Sequence, residues 1–111
     1  MAQSATLHRY FTQVRGYPAL SREEEIDLVT RFRSAGDEAA REKLISAHLR
    51  YVVAIALKYQ RYGVPIEELV SEGNFGLVHA LGKFELDRGT RFVTYAAYWI
   101  RAYVLNHVIR S

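Results

Sequence analysis

The run Arg88-Gly-Thr-Arg-Phe-Val-Thr-Tyr-Ala-Ala-Tyr-Trp-Ile-Arg101 packs four aromatic side chains and three arginines into fourteen residues without a single acid. Read as a helix from about Arg91, it sets Phe92, Tyr95, Tyr98 and Trp99 at spacings of three and four, which predicts one broad shared face. Aromatics at this spacing are commonly core. A face built from rings instead of Leu, Ile and Val, and flanked by fixed positive charge, also suits a platform on which unpaired bases stack while arginines hold phosphates.

Working outward from that run, the rest of the chain also reads as helix. Ser21-Arg-Glu-Glu24 is a capping box, and Ile26, Leu28, Val29 and Phe32 follow it at helical spacing. Gly36 stops this helix and Asp37 caps the next, predicted from about Asp37 to Tyr62 with Leu44, Leu49, Val52, Val53 and Tyr59 on an apolar stripe. Gly63 ends that helix. Pro65 suits the first turn of a third, where its missing N–H costs nothing. Leu69, Val70, Leu77, Leu81 and Phe84 share one face of the third helix, and Gly73 and Gly76 point to close helix packing. A loop at 86–89 leads to a fourth helix from Thr90 to about Arg110. With no sustained strand alternation and no internal repeat, the expected fold is all-α, a compact bundle of about four to five helices.

Composition narrows the function. The chain has 111 residues, half of them hydrophobic, which suits one small folded domain. Cysteine is absent, so disulfides and thiolate metal sites are excluded and a reducing cytoplasm is the expected compartment. The four histidines have no ligand-like spacing, and neither a metal nor a cofactor is expected. No apolar run approaches the ~20 residues of a membrane span, so no membrane partner is expected. The net charge of +3 hides a segregation. Residues 65–87 carry Lys83 against Glu67, Glu68, Glu72, Glu85 and Asp87, whereas residues 88–111 carry Arg88, Arg91, Arg101 and Arg110 and no acid. Two surfaces of opposite sign imply two kinds of partner. No Gly-rich phosphate loop, nucleophile elbow or His-Glu metal motif is present, so a binding module is expected and an enzyme is not.

Three ordered motifs carry a resemblance: Leu69-Val-Ser-Glu-Gly-Asn-Phe-Gly-Leu-Val78, Lys83-Phe-Glu-Leu-Asp-Arg-Gly89 and Phe92-Val-Thr-Tyr-Ala-Ala-Tyr-Trp-Ile-Arg101. Together they resemble region 2 of the sigma-70 family of RNA polymerase sigma factors. His48-Leu-Arg-Tyr-Val-Val53 resembles the start of that region. The resemblance divides a single sigma-2 domain, 1–111, into about 7–36 (region 1.2), 37–64 (region 2.1), 65–84 (region 2.2) and 85–111 (region 2.3 and the start of 2.4). Tyr17-Pro18, Ser46-Ala-His-Leu-Arg50 and Tyr62-Gly-Val-Pro65 look closest to the alternative, heat-shock-type members.

The resemblance implies a sigma factor domain that binds core RNA polymerase and melts the promoter −10 element by capturing its non-template strand. Glu68, Ser71, Glu72, Asn74 and Val78 match positions that bind the clamp helices of the largest polymerase subunit. Tyr95 matches the ring that stacks where an adenine leaves the duplex, and Phe84, Glu85, Arg88 and Thr94 match the pocket that receives it. Tyr98 and Trp99 match a wedge against the last paired base, Arg91 and Arg101 would hold phosphates, and Phe92 belongs to the same DNA-binding set. His48 and Tyr51 lie where the family builds a second pocket for a downstream thymine. An anti-sigma factor is a further partner the resemblance allows, and the expected location is cytoplasmic, at the nucleoid through polymerase.

The sequence departs from the pattern at three positions, with Tyr98 where Trp is frequent, Ser71 for Gln and Phe75 for Ile. It stops at Ile109-Arg-Ser111, so regions 3 and 4 are absent and independent −35 recognition is not expected. Two alternatives stay open at this level: a helical protein-interaction module whose rings are core, and a truncated sigma-like decoy that occupies polymerase without promoter function.

Overall fold

The computed structural model describes residues 19–86 and 89–111. Arg88, Tyr17-Pro18 and the part of the region 1.2 resemblance before residue 19 lie outside the described residues. Among the described residues four α-helices follow in order: α1 (Arg22–Ala35), α2 (Glu38–Lys58), α3 (Ile66–Lys83) and α4 (Phe92–Arg110), with a short 3-10 turn at Gln60–Tyr62. Among the described residues there is no strand, and the all-α expectation holds. No described helix is long and apolar enough to cross a membrane.

Local chemistry sets most of the boundaries. The Ser21 hydroxyl accepts from the Glu24 N–H at 3.1 Å while the Glu24 carboxylate accepts from the Ser21 N–H at 3.0 Å, closing the capping box that starts α1. This pairing also holds the Glu24 carboxyl below its ordinary pKa, the backbone hydrogen bond being the larger cause. Gly36 ends α1 with a φ of 64°, a left-handed conformation that favours glycine. The Asp37 side chain then accepts from the Ala40 N–H at 3.2 Å and starts α2.

Three boundaries differ from expectation. The second helix gives way to the 3-10 turn after Lys58, because Tyr59 is already at φ −102°, ψ 3°. Pro65 sits at the cap of α3, one residue outside it, and its carbonyl accepts from the N–H groups of Glu68 and Leu69. The fourth helix starts at Phe92, two residues later than expected, and has no side-chain cap from its own segment.

The core lies where α2, α3 and α4 meet, with Leu44, Val52, Val53, Leu69, Leu77, Phe92, Ile100 and Val104 sealed from solvent. α1 covers one side through Leu28 and Val29. α3 and α4 approach closely because of two glycines. A Cβ on Gly76 would stand 2.5 Å from the Trp99 carbonyl oxygen, and one on Gly73 would stand 3.3 Å from an Ile100 methyl. This contact fixes the register of α4 against α3 and, with it, the position of every ring on α4.

Candidate functional site

A cavity of 360 Å³ between the end of α3 and the start of α4 is lined by Lys83, Phe84, Glu85, Thr90 and Tyr95. Phe84 and Glu85, expected in a base pocket, therefore meet Tyr95, expected to stack beside it, around one space. Lys83 and Thr90 join them and were not anticipated; as immediate neighbours of the motif residues on either side of the loop, they were findable only by proximity. Thr94 is exposed but does not line the cavity. Phe84 is buried, its ring 5.6 Å from that of Tyr95 and edge-on to Phe92 at 5.2 Å. The cavity thus has an aromatic floor held rigid from below, beside the carboxylate of Glu85 and the ammonium of Lys83.

The four rings of α4 do not share one face. At ~100° per residue, Phe92 and Trp99 point within about 20° of each other, while Tyr98 stands about 120° away from Phe92. The buried positions Phe92, Ala96, Ile100 and Val104 therefore face the core, and Tyr98 faces the opposite way with 61% of its surface exposed. Phe92, expected among the DNA contacts, is fully buried and acts as core beneath the cavity. Trp99 is half-buried. One side packs on the His79 imidazole, with ring centroids 3.9 Å apart and planes at 34°, and Tyr98 meets it edge-on at 5.4 Å. His79 was missed from the sequence; its partners Trp99 and Tyr103 lie on another helix.

His48 is 5% exposed, its Nδ1–H donating to the Leu44 carbonyl at 2.7 Å and its ring standing 5.0 Å over the edge of Phe92. Of the pair expected to build a second pocket, Tyr51 alone presents substantial surface. Burial holds the His48 imidazole below its ordinary pKa, outweighing the opposite effects of the Leu44 hydrogen bond and the nearby Glu25 carboxylate. Arg91, expected on phosphates, is half-exposed, but its guanidinium already meets Glu25 at 3.3 Å and the Leu20 carbonyl at 3.2 Å. Arg101 is exposed.

The outer face of α3 forms a second surface. Glu68, Ser71 and Val78 are exposed there, Glu72 and Asn74 half-buried. At its centre stands Phe75, 58% exposed, a large ring that the sequence singled out only as a departure. His107 of α4 reaches the same face: Nε2 donates to Glu68 at 2.9 Å, and Nδ1 lies 3.9 Å from Glu72. An acidic rim around an exposed aromatic suits a basic partner with an apolar stripe. Among the described residues no cluster of His, Asp and Glu could hold a metal ion.

Residues 44–111 match the family described as Sigma-70 region 2. The whole chain is 44% identical to the RNA polymerase sigma factor RpoH of Caulobacter vibrioides, covering 38% of that protein. It is 46% identical over 110 residues to the RpoH of Rhizobium radiobacter, covering 99% of this chain and 37% of that protein. It is 42% identical over 106 residues to the RNA polymerase sigma-C factor of Myxococcus xanthus, covering 96% of this chain and 36% of that one. The chain spans little more than a third of the length of these relatives.

Proposed function

Because the chain belongs to the sigma-70 family, we propose that it is a transcription-initiation module which binds core RNA polymerase and captures the single-stranded non-template strand of the promoter −10 element. The outer face of α3 meets the clamp helices of the largest polymerase subunit. Glu68 and Glu72 supply the charge, and Ser71, Asn74 and Val78 supply the remaining contacts. At the other end of the hairpin, the cavity beneath the α3–α4 loop takes a flipped adenine.

The observation that carries the reading is the cavity itself, walled by Phe84 and Tyr95 at the start of a helix whose 19 residues contain no acid. A base leaving the duplex costs a few kcal/mol. Each stack on a ring returns ~1–3 kcal/mol, so Tyr95 and Tyr98 together offset the unpairing. Tyr98, projecting from the end of the Trp99–His79 stack, is placed to wedge against the last paired base. Arg101 and the exposed part of Arg91 add phosphate attraction, which positions the strand and fades with salt. Binding of the open strand drives melting in this scheme, and no nucleotide hydrolysis is needed.

The test is fluorescence anisotropy of the labelled chain titrated with bacterial core RNA polymerase, followed by addition of a −10 non-template oligonucleotide. Glu72→Lys should abolish polymerase binding. Tyr98→Ala should leave it intact and weaken the oligonucleotide about tenfold, the equivalent of one lost stack. A folded wild-type chain that fails to bind polymerase at micromolar concentration would overturn the reading.

A further inference from the structure

The α3–α4 loop has two feet, Phe84 and Phe92, and a polar side chain of α1 holds each of them. At the first foot α3 has just ended, Phe84 is extended at φ −64°, ψ 135°, and its carbonyl accepts from Nη1 of Arg33. At the second foot the Glu25 carboxylate accepts from the Phe92 N–H at 3.1 Å and from Arg91 Nε at 3.3 Å. Arg91 in turn donates to the Leu20 carbonyl, just before α1, at 3.2 Å. α4 lacks a side-chain cap from its own segment, so α1 supplies the anionic group its N-terminus requires.

Glu25 and Arg33 stand eight residues apart on one helix, so the distance between the two ties is fixed at about 12 Å by helix geometry. Between them the rings of Phe84 and Phe92 meet edge-on, and Tyr95 packs on Phe84. A space of 400 Å³, lined by Val29, Arg33, Phe84, Glu85 and Leu86, lies between α1 and the loop. Phe84 is buried in the core and Leu86 packs against it, and the Arg33 hydrogen bond adds a directional tie to that packing. Leu28 and Val29 seat the apolar side of α1 on the core, and the two polar ties reach past them to the loop.

We propose that α1 is a brace for the base cavity, with Arg33 and Glu25 as positioning residues that set the spacing of its Phe84 and Tyr95 walls. Neither residue lines the cavity, and each acts on a captured base through the loop. This rests on the −10 reading of the cavity given above.

The test uses the chain assembled on core polymerase and a single-stranded −10 non-template oligonucleotide with 2-aminopurine in place of the flipped adenine. Its fluorescence reports the surroundings of that base, which a general change in stability does not alter. Arg33→Ala should weaken oligonucleotide binding about tenfold, as expected for losing a charge-assisted hydrogen bond, and change the bound-state signal. Arg33→Lys, which keeps a donor, should restore most of both. Glu25→Gln keeps an acceptor for the Phe92 N–H but loses the charge facing Arg91, and should weaken binding about threefold. Polymerase affinity should stay at the wild-type value throughout. Arg33→Ala and Glu25→Gln variants that fold, bind polymerase and match wild type in affinity and signal would overturn the brace alone. So would a parallel loss of polymerase and oligonucleotide binding, which would make α1 merely structural. A wild-type complex that ignores the oligonucleotide would remove the −10 reading and the brace with it.

Discussion

Two glutamate sites join other helices to α4, and they are built in opposite ways. On the α1 side the Glu25 side chain keeps 3% of its surface, and its carboxylate meets Arg91 and the Phe92 N–H at the start of α4. On the α3 side the Glu68 side chain keeps 53% of its surface and meets His107 at 2.9 Å, with Glu72 further off at 3.9 Å. A buried carboxylate has given up its water, so its bonds are costly to break; an exposed one exchanges a protein partner for water at little cost. The first joint therefore fixes geometry and the second leaves its acids available. This division matches the proposed roles, a shaped cavity at one end of α4 and a docking surface at the other.

The largest expected effect tests the buried joint. Glu25→Ala leaves the Phe92 N–H without its acceptor and removes the partner of Arg91. Because Arg91 is partly solvated, the loss falls short of that for a fully buried pair, at about 3 kcal/mol. Urea denaturation of the variant measures it. A loss below about 1 kcal/mol would mean that water replaces the carboxylate readily, and the contrast between the joints would disappear.

A smaller effect comes from His48, which stands beside the same joint, with Glu25, Arg91 and Arg50 the charges acting on it. Its pKa in the folded protein lies below the unfolded value of 6.5, so the native state holds it neutral. Above 6.5 both states are neutral and it imposes no pH dependence. As pH falls below 6.5 the unfolded chain binds a proton that the folded chain refuses, and stability declines. His48→Gln should flatten the dependence of unfolding free energy on pH between about 6.5 and 5. An unchanged slope would assign that dependence to other groups.

The two joints were not equally legible in the sequence. The described helices and most of their ends were, because Ser21, Gly36, Asp37 and Gly63 act through nearby neighbours and leave a local signature. Gly73 and Gly76 signalled close helix packing, since only a missing Cβ permits it, and the structure shows α4 as the neighbour. Glu25, by contrast, is the third of three consecutive glutamates that all suit the first turn of a helix. Only its partner 66 residues away distinguishes it from its exposed neighbours. The Arg33 tie was less visible still, because its acceptor is a backbone carbonyl and no residue type encodes that. Helical spacing placed the α4 rings on one face too readily: steps of three and four accumulate, and by Tyr98 the helix has turned its side chain away from Phe92. The cavity-lining Phe84, Glu85 and Tyr95 came from resemblance to a family, since nothing in their spacing alone closes a loop around a space.

The smallest expected effect tests the exposed joint. His107→Ala removes the bond to Glu68 and the approach to Glu72, yet it should change stability by no more than about 0.5 kcal/mol, because both acids return to water. Contacts of the Gly73 and Gly76 kind, rather than this hydrogen bond, hold α3 to α4, and the substitution leaves them in place. The same change should raise affinity for core polymerase slightly, by about twofold, since a basic partner would no longer compete with His107 for the two carboxylates. Anisotropy at two salt concentrations separates the cases, because a gain of electrostatic origin shrinks as salt rises. If His107→Ala instead destabilised the chain as much as Glu25→Ala, both joints would be structural. The acidic face would then owe its shape to His107, and Glu68 and Glu72 could not be treated as groups held ready for a partner.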